Sequence, residues 1–102
     1  MRITTQSLPE GDLRLVLAGE LDLATVDLLR TAVARSLADT TSLRLILDLG
    51  AVSFCDSTGV RALVSSHDQA RDAGVEMRIT NAQDIVERVL RVTGVWTTLT
   101  ST

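Results

Sequence analysis

Cysteine, histidine, proline and aromatic residues are scarce in this chain of 102 residues, and lysine is absent, so that all ten basic side chains are arginine. The single Cys, Cys55, excludes an internal disulfide. Together with the single His, His67, it falls short of the Cys/His sets that hold structural zinc, and a reducing cytosol is the expected setting. Two aromatic rings, Phe54 and Trp96, exclude a base-stacking platform and a large aromatic ligand pocket. No stretch approaches the roughly 20 apolar residues needed to cross a bilayer, and the first residues, from Met1 to Gln6, carry no apolar signal core. The expectation is a cytoplasmic protein with no membrane contact. A net charge of −3 offers no basic excess to displace counterions from a phosphate backbone, so direct nucleic-acid binding is not expected. The bias towards arginine carries no functional inference.

What is present is a chain 45% hydrophobic and 23% charged, enough for one core and one domain. The domain is expected over 1–102, with its core over about 2–96 and a polar tail at 97–102. A short strand over Arg2–Ser7 and a second built on Leu13, Leu15 and Leu17 frame Pro9-Glu10-Gly11-Asp12, which supplies turn chemistry for a hairpin. Val26, Leu29, Val33 and Leu37 recur at steps of three and four within Ala24–Ala38, the pattern of an amphipathic helix. Leu43 to Leu49 is apolar on both faces, as a central covered strand is, with Gly50 expected to end it and Val52-Ser53-Phe54 to add a short continuation. Val60, Leu63, Val64 and Ala70 give a second helix over Ser57–Ala73, closed by a left-handed Gly74. A strand at Val75–Thr80 follows, then a helix entered at Asn81-Ala82 and closed by Gly94. Past Trp96, expected to anchor on the core, no helical signal remains, and fraying or a short edge strand is expected. Helices between single strands make an α/β fold: an open mixed sheet of about four to five strands, helices mainly on one side.

The most informative stretch runs from Asp48 to Val60, where an apolar strand passes into a helix through Cys55-Asp56-Ser57-Thr58-Gly59. Such a junction lies at the carboxyl edge of the sheet, where open α/β sheets bind their ligands. Read for structure alone, Ser57 or Asp56 caps the helix and Gly59 permits close packing. A capping role does not exclude a regulatory one.

The order Gly19-Glu20-Leu21-Asp22, helix, apolar strand and Phe54-Cys55-Asp56-Ser57-Thr58-Gly59-Val60 resembles the STAS domain of bacterial anti-sigma-factor antagonists, over about Leu13 to Gly94. The resemblance implies an antagonist that, unphosphorylated, binds an anti-sigma factor with serine kinase activity and so releases a sigma factor. It implies Ser57 as the phosphorylated residue, a separate phosphatase that resets the switch, and a partner contact made by Asp22, Asp56, Thr58, Gly59 and Val60. A second implied reading is a STAS scaffold that assembles without Ser57 chemistry. Cys55 replaces a residue that is commonly Met, and family members usually continue into a further C-terminal helix.

No catalytic residue, metal or cofactor is expected: there is no phosphate-binding glycine loop and no Gly-x-Ser-x-Gly elbow. His67 reads as a partly covered helix residue and Cys55 as a small buried hydrophobe. Asp22, Asp48 and Asp56 are the one set of carboxylates that a magnesium ion could draw together. The plainer reading makes Asp22 a helix cap and Asp48 a solvated strand end.

Overall fold

The computed structural model describes residues 1–38 and 44–100. Strand β1 (Arg2–Ser7) leads through a 3-10 turn at Pro9–Gly11 into β2 (Leu13–Leu21). Helix α1 (Val26–Ala38), strand β3 (Arg44–Cys55), helix α2 (Ser57–Asp72) and strand β4 (Glu76–Thr80) follow, then helices α3 (Asp84–Val92) and α4 (Trp96–Thr100). The strands form one sheet in the order β1-β2-β3-β4, antiparallel between β1 and β2 and parallel thereafter. This is the expected α/β arrangement with a mixed open sheet.

The hairpin turns where the sequence placed its turn residues. Leu8 N–H donates to the Asp12 carbonyl at 2.8 Å, and Gly11 takes φ +86°, a left-handed conformation that a side chain would strain. Parallel neighbours cannot be joined by a tight turn, so α1 and α2 serve as crossovers, and a common right hand puts both on the same face. That face presents Leu15, Leu17, Leu45, Leu47, Met77 and Ile79, all buried, to Val26, Leu29 and Val33 of α1 and Leu63 and Ala70 of α2. Val86 and Leu90 of α3 and Leu99 of α4 complete the same cluster. Ile46, of opposite phase on β3, lies outside it.

Three expectations change. Gly50 does not end its strand: β3 continues to Cys55 because two irregularities let it follow β2. Val16 and Ala18 face Asp48 and Ala51, and Gly19 and Glu20 face Val52 and Phe54, so β3 carries one extra residue at each place. Each insertion reverses the inward phase. Leu45, Leu47 and Leu49 point to the core, then Val52, then Cys55, while Ser53 and Phe54 turn out. The start expected at Leu43 lies outside the described residues. Helix α3 begins at Asp84, because Asn81 adopts φ +61° and Gln83 becomes the extended residue before the first turn.

The third change concerns the segment after Trp96, which forms α4 where fraying or a strand was expected. Leu99 is fully buried and its N–H donates to the Val95 carbonyl at 3.1 Å. Trp96 packs against the core edge, with the Arg91 guanidinium 4.6 Å above its ring. The tail residues Ser101 and Thr102 lie outside the described residues. If α4 is part of the core, Leu99→Ala leaves a cavity and lowers stability by about 2–4 kcal/mol. Urea unfolding would measure it, and a loss near zero would show that this turn is only loosely attached.

Candidate functional site

The site is assembled where β2 and β3 end side by side. Leu21 is in register with Cys55, and the Asp56 N–H donates to the Leu21 carbonyl at 3.2 Å, continuing the strand pairing by one bond. Asp56 then leaves the strand with φ −97° and ψ −174° and caps α2: its Oδ1 accepts the Gly59 N–H at 2.9 Å, and its carbonyl accepts Val60 N–H at 2.9 Å. Of the two candidate caps, therefore, Asp56 is the one used. Ser57 becomes the first helical residue. It is exposed, and its hydroxyl makes no hydrogen bond among the described residues.

Gly59 sets how close α2 approaches the sheet. A Cβ there would sit 2.5 Å from the Leu21 carbonyl oxygen and 2.8 Å from Cys55 Sγ, and the first of these is backbone that cannot yield. Gly59 and Val60 are buried, and Thr58 is half-buried. Of the residues expected at a partner surface, Gly59 and Val60 therefore lie beneath it, as supports.

Asp22 heads the turn that leaves β2. Its Oδ1 accepts Ala24 N–H at 3.0 Å, its own N–H donates to Thr25 Oγ1 at 3.0 Å, and the Thr25 hydroxyl donates to the Glu20 carbonyl at 2.8 Å. The Leu21–Cys55 register brings Asp22 and Asp56 to the same edge of the sheet. Asp48 is not a strand end: it lies inside β3, with its Oδ1 accepting Gly50 N–H at 2.9 Å. Among the described residues, no three His, Cys, Asp or Glu side chains converge as a metal site would require. His67 is half-buried on α2, with its Nδ1 covered and unpaired.

Beside the junction in sequence, and on α3, stand large apolar groups that the core does not cover. Leu23 (76% exposed), Phe54 (43%) and Ile85 (61%) are large apolar side chains open to solvent. Ile85 also edges a shallow groove of about 490 Å³ between Gly50–Ser53 and Gln83–Val86. Arg61, exposed one helical turn beyond Ser57, is the nearest cation along α2. Phe54 has the outward phase that Leu45, Leu47 and Leu49 set for the strand, because the two bulges of β3 cancel by the time it is reached. The arrangement is an acidic rim of Asp22 and Asp56 with apolar contacts beside it and, in it, the exposed Ser57 hydroxyl next to the half-buried Thr58. That is equipment for binding a protein surface.

The profile of the STAS domain family matches residues 5–99. Among solved structures, the chain is similar to the anti-sigma factor antagonist SpoIIAA in its unphosphorylated form, at 19% identity and a TM-score of 0.78, covering 93% of this chain and 83% of that one. An anti-sigma factor antagonist from Mycobacterium paratuberculosis is 26% identical with a TM-score of 0.76, covering 99% and 87%. The murine anion transporter Slc26a9 is 27% identical with a TM-score of 0.74, but the match covers 84% of this chain and 14% of the transporter.

Two outcomes follow from the geometry. Gly59→Ala forces the start of α2 off the sheet and is expected to cost about 1–3 kcal/mol, read by thermal or urea unfolding. Wild-type stability would mean that the helix can slide without penalty. The Cys55 thiol is pushed up to about 11, first by burial and then by the neighbouring Asp56 charge. Because its folded value is raised above 9.0, the folded state holds the proton longer, and stability present below pH 9 is lost as pH rises towards 11. Urea midpoints measured across that window should fall for wild type and hold steadier for Cys55→Ala; parallel curves would show that another group governs the alkaline limb.

Proposed function

The chain belongs to the STAS domain family, and from that premise we propose that it is an anti-sigma-factor antagonist switched by phosphorylation of Ser57. Unphosphorylated, it binds an anti-sigma factor that is also a serine kinase, and a sigma factor is released. Asp22, Asp56 and Thr58 meet the partner directly, while Gly59 and Val60 hold the start of α2 beneath them. Leu23, Phe54 and Ile85 add the apolar contacts. The chain is substrate and ligand in this scheme and needs no catalytic group of its own.

One observation carries the reading: an exposed Ser57 hydroxyl without a partner, at the first turn of the helix that Asp56 caps. Bound to the kinase, Ser57 Oγ would attack the γ-phosphorus of ATP, forming the O–P bond as the bond to the ADP oxygen breaks and passing the hydroxyl proton to a base of the kinase. The product carries a charge of about −1.5 to −2 near neutral pH. The unpaired N–H groups of the first turn favour that charge by about 0.3–1 kcal/mol, and Arg61 lies within a turn, so the fold tolerates it. An interface that had accepted a neutral hydroxyl beside Asp56 does not. Burying the added charge without a matched cation costs several kcal/mol. A separate phosphatase would restore binding.

A second reading has an observation of its own. The likeness to a short part of the anion transporter is consistent with a STAS unit serving as an assembly module without Ser57 chemistry. Incubation with the cognate kinase and ATP, followed by mapping of the phosphate by mass spectrometry, separates the two. Phosphate on Ser57 is expected; phosphate on Thr58, or none, would sink the switch. In calorimetry Ser57→Ala should bind the kinase with or without ATP. Ser57→Asp should bind more weakly, and the phosphorylated chain weaker still by about a thousandfold, equivalent to roughly 4 kcal/mol. Tight binding by the phosphorylated chain would overturn the electrostatic account.

A further inference from the structure

The sheet has a second face that no helix among the described residues covers. Every buried apolar side chain of the helices joins the cluster on the Leu15 and Leu47 side, and Ile46 is the buried apolar residue left outside that cluster. The register puts Arg14, Ile46 and Arg78 in one row across β2, β3 and β4, and Val16, Asp48 and Thr80 in the next. Sheets with parallel strands are ordinarily covered on both faces, because two-sided burial is what offsets their slightly weaker pairing. Three parallel strands bare on one side leave a surface suited to a further layer.

Its charge says what kind of layer. Arg2, Arg14, Arg44 and Arg78 share the phase of this face, against Glu20, Asp48 and Glu76. The face is therefore positive in a chain whose net charge is −3. Glu76 pairs with Arg44 at 3.9 Å and Asp48 is engaged with Gly50 N–H, whereas Arg14 and Arg78 have no carboxylate partner among the described residues. Arg14 reaches only the Gln6 amide oxygen, at 3.4 Å. Ile46 is 8% exposed although no helix lies over it, and the Nε of both flanking arginines is buried and unpaired. Those facts together point to arginine stems that lie across the sheet beside Ile46, carried on backbone positions about 10 Å apart, two strand spacings.

We propose that this face is a docking surface for an acidic amphipathic helix of a partner protein, laid across the strands with two carboxylates on Arg14 and Arg78 and an apolar residue between them on the arginine stems that cover Ile46. Carboxylates seven positions apart on a helix are separated by about 10.5 Å and share a face, which matches the arginine spacing. A guanidinium presents a planar fork that a carboxylate fills bidentately, and an interfacial pair of this kind gives specificity as well as affinity. A second copy of this chain is a poor occupant for a symmetric contact, because it would set these arginines against their own images. Nucleic acid is disfavoured by the net charge of −3 and by a single ring on this face, Phe54, at its far end beside Glu20.

The probe is a helical peptide of about 16 residues, some four turns, carrying Glu at i and i+7 with Leu at i+3 and i+4. Titrated into isotope-labelled full chain and followed by NMR, it should give saturable amide shifts at Arg14–Val16, Ile46–Asp48 and Arg78–Thr80. Arg14→Met with Arg78→Met keeps the covering stems and removes both charges. It should weaken binding at least about tenfold while its spectrum remains that of the folded chain. Arg14→Glu with Arg78→Glu should transfer preference to a peptide with Lys in place of Glu, which a loss of folding could not mimic. Ser57→Asp should leave peptide affinity unchanged, so that this face and the Ser57 edge fail or stand separately. The proposal is overturned if the shifts lie elsewhere, if a Gln-substituted peptide binds equally, if the methionine variant binds like wild type, or if anionic lipid vesicles and not the peptide produce the shifts on this face.

Discussion

The contact on which the site depends is the near-touch between Gly59 of α2 and the carbonyl oxygen of Leu21 at the end of β2. At this separation a single methyl group would collide with backbone, so the helix start is fixed to the sheet edge by exclusion as much as by attraction. The rest of the junction follows. With α2 held there, Asp56 is placed to close the strand pairing through its N–H and to cap the helix through its carboxylate. Ser57 then has no structural duty left. Its neighbours supply the cap and the packing, and its hydroxyl faces solvent at the positive end of a helix. A residue free of structural work is one whose charge can change without unfolding the domain.

Strand β3 does for the breadth of the site what Gly59 does for its depth. An unbroken strand of this length would keep one phase and would bury Phe54 or Cys55 according to how it began. The two extra residues opposite β2 reset the phase twice: Val52 is turned into the core, and Cys55 and Phe54 then return to the inward and outward phases that Leu45, Leu47 and Leu49 set. Cys55 in turn is half of what makes the Gly59 approach so close. The features that seat α2 and the one that exposes Phe54 therefore have a common origin in how β3 is paired.

Much of this was legible in the residues, and the reasons for the remainder are physical. Leucines alternating through 13–17 and apolar residues at steps of three and four through 26–37 report burial directly, so β2 and α1 could be read with little ambiguity. The bulges of β3 could not, because they are a property of its pairing with β2 and leave no mark on β3 alone. Helix α4 was hidden for a different reason. Thr97, Thr98 and Thr100 are poor helix formers, and the turn is held by tertiary burial of Leu99, which overrides local propensity. At the site, the Asp-Ser-Thr-Gly string marks the junction of strand and helix, yet both Asp56 and Ser57 satisfy the statistics of a cap. Only the 2.9 Å bond from Gly59 decides between them.

The distribution of charge joins the two surfaces. The carboxyl edge gathers Asp22 and Asp56 around Ser57, while the bare sheet face sets Arg2, Arg14, Arg44 and Arg78 against Glu20, Asp48 and Glu76. Close charges at the edge act strongly on whatever is desolvated against them. By contrast, the field between edge and face passes partly through solvent, where charges more than about 8–10 Å apart are largely screened at physiological salt. Adding a phosphate at one end therefore need not alter binding at the other. A small domain with one core has little room for a conformational relay, and separation by screening offers a simpler route to two independent contacts on a rigid body. Under the proposed scheme one contact would be dismissed by a kinase while the second persisted, and the chain would stay attached to an assembly with its switch off.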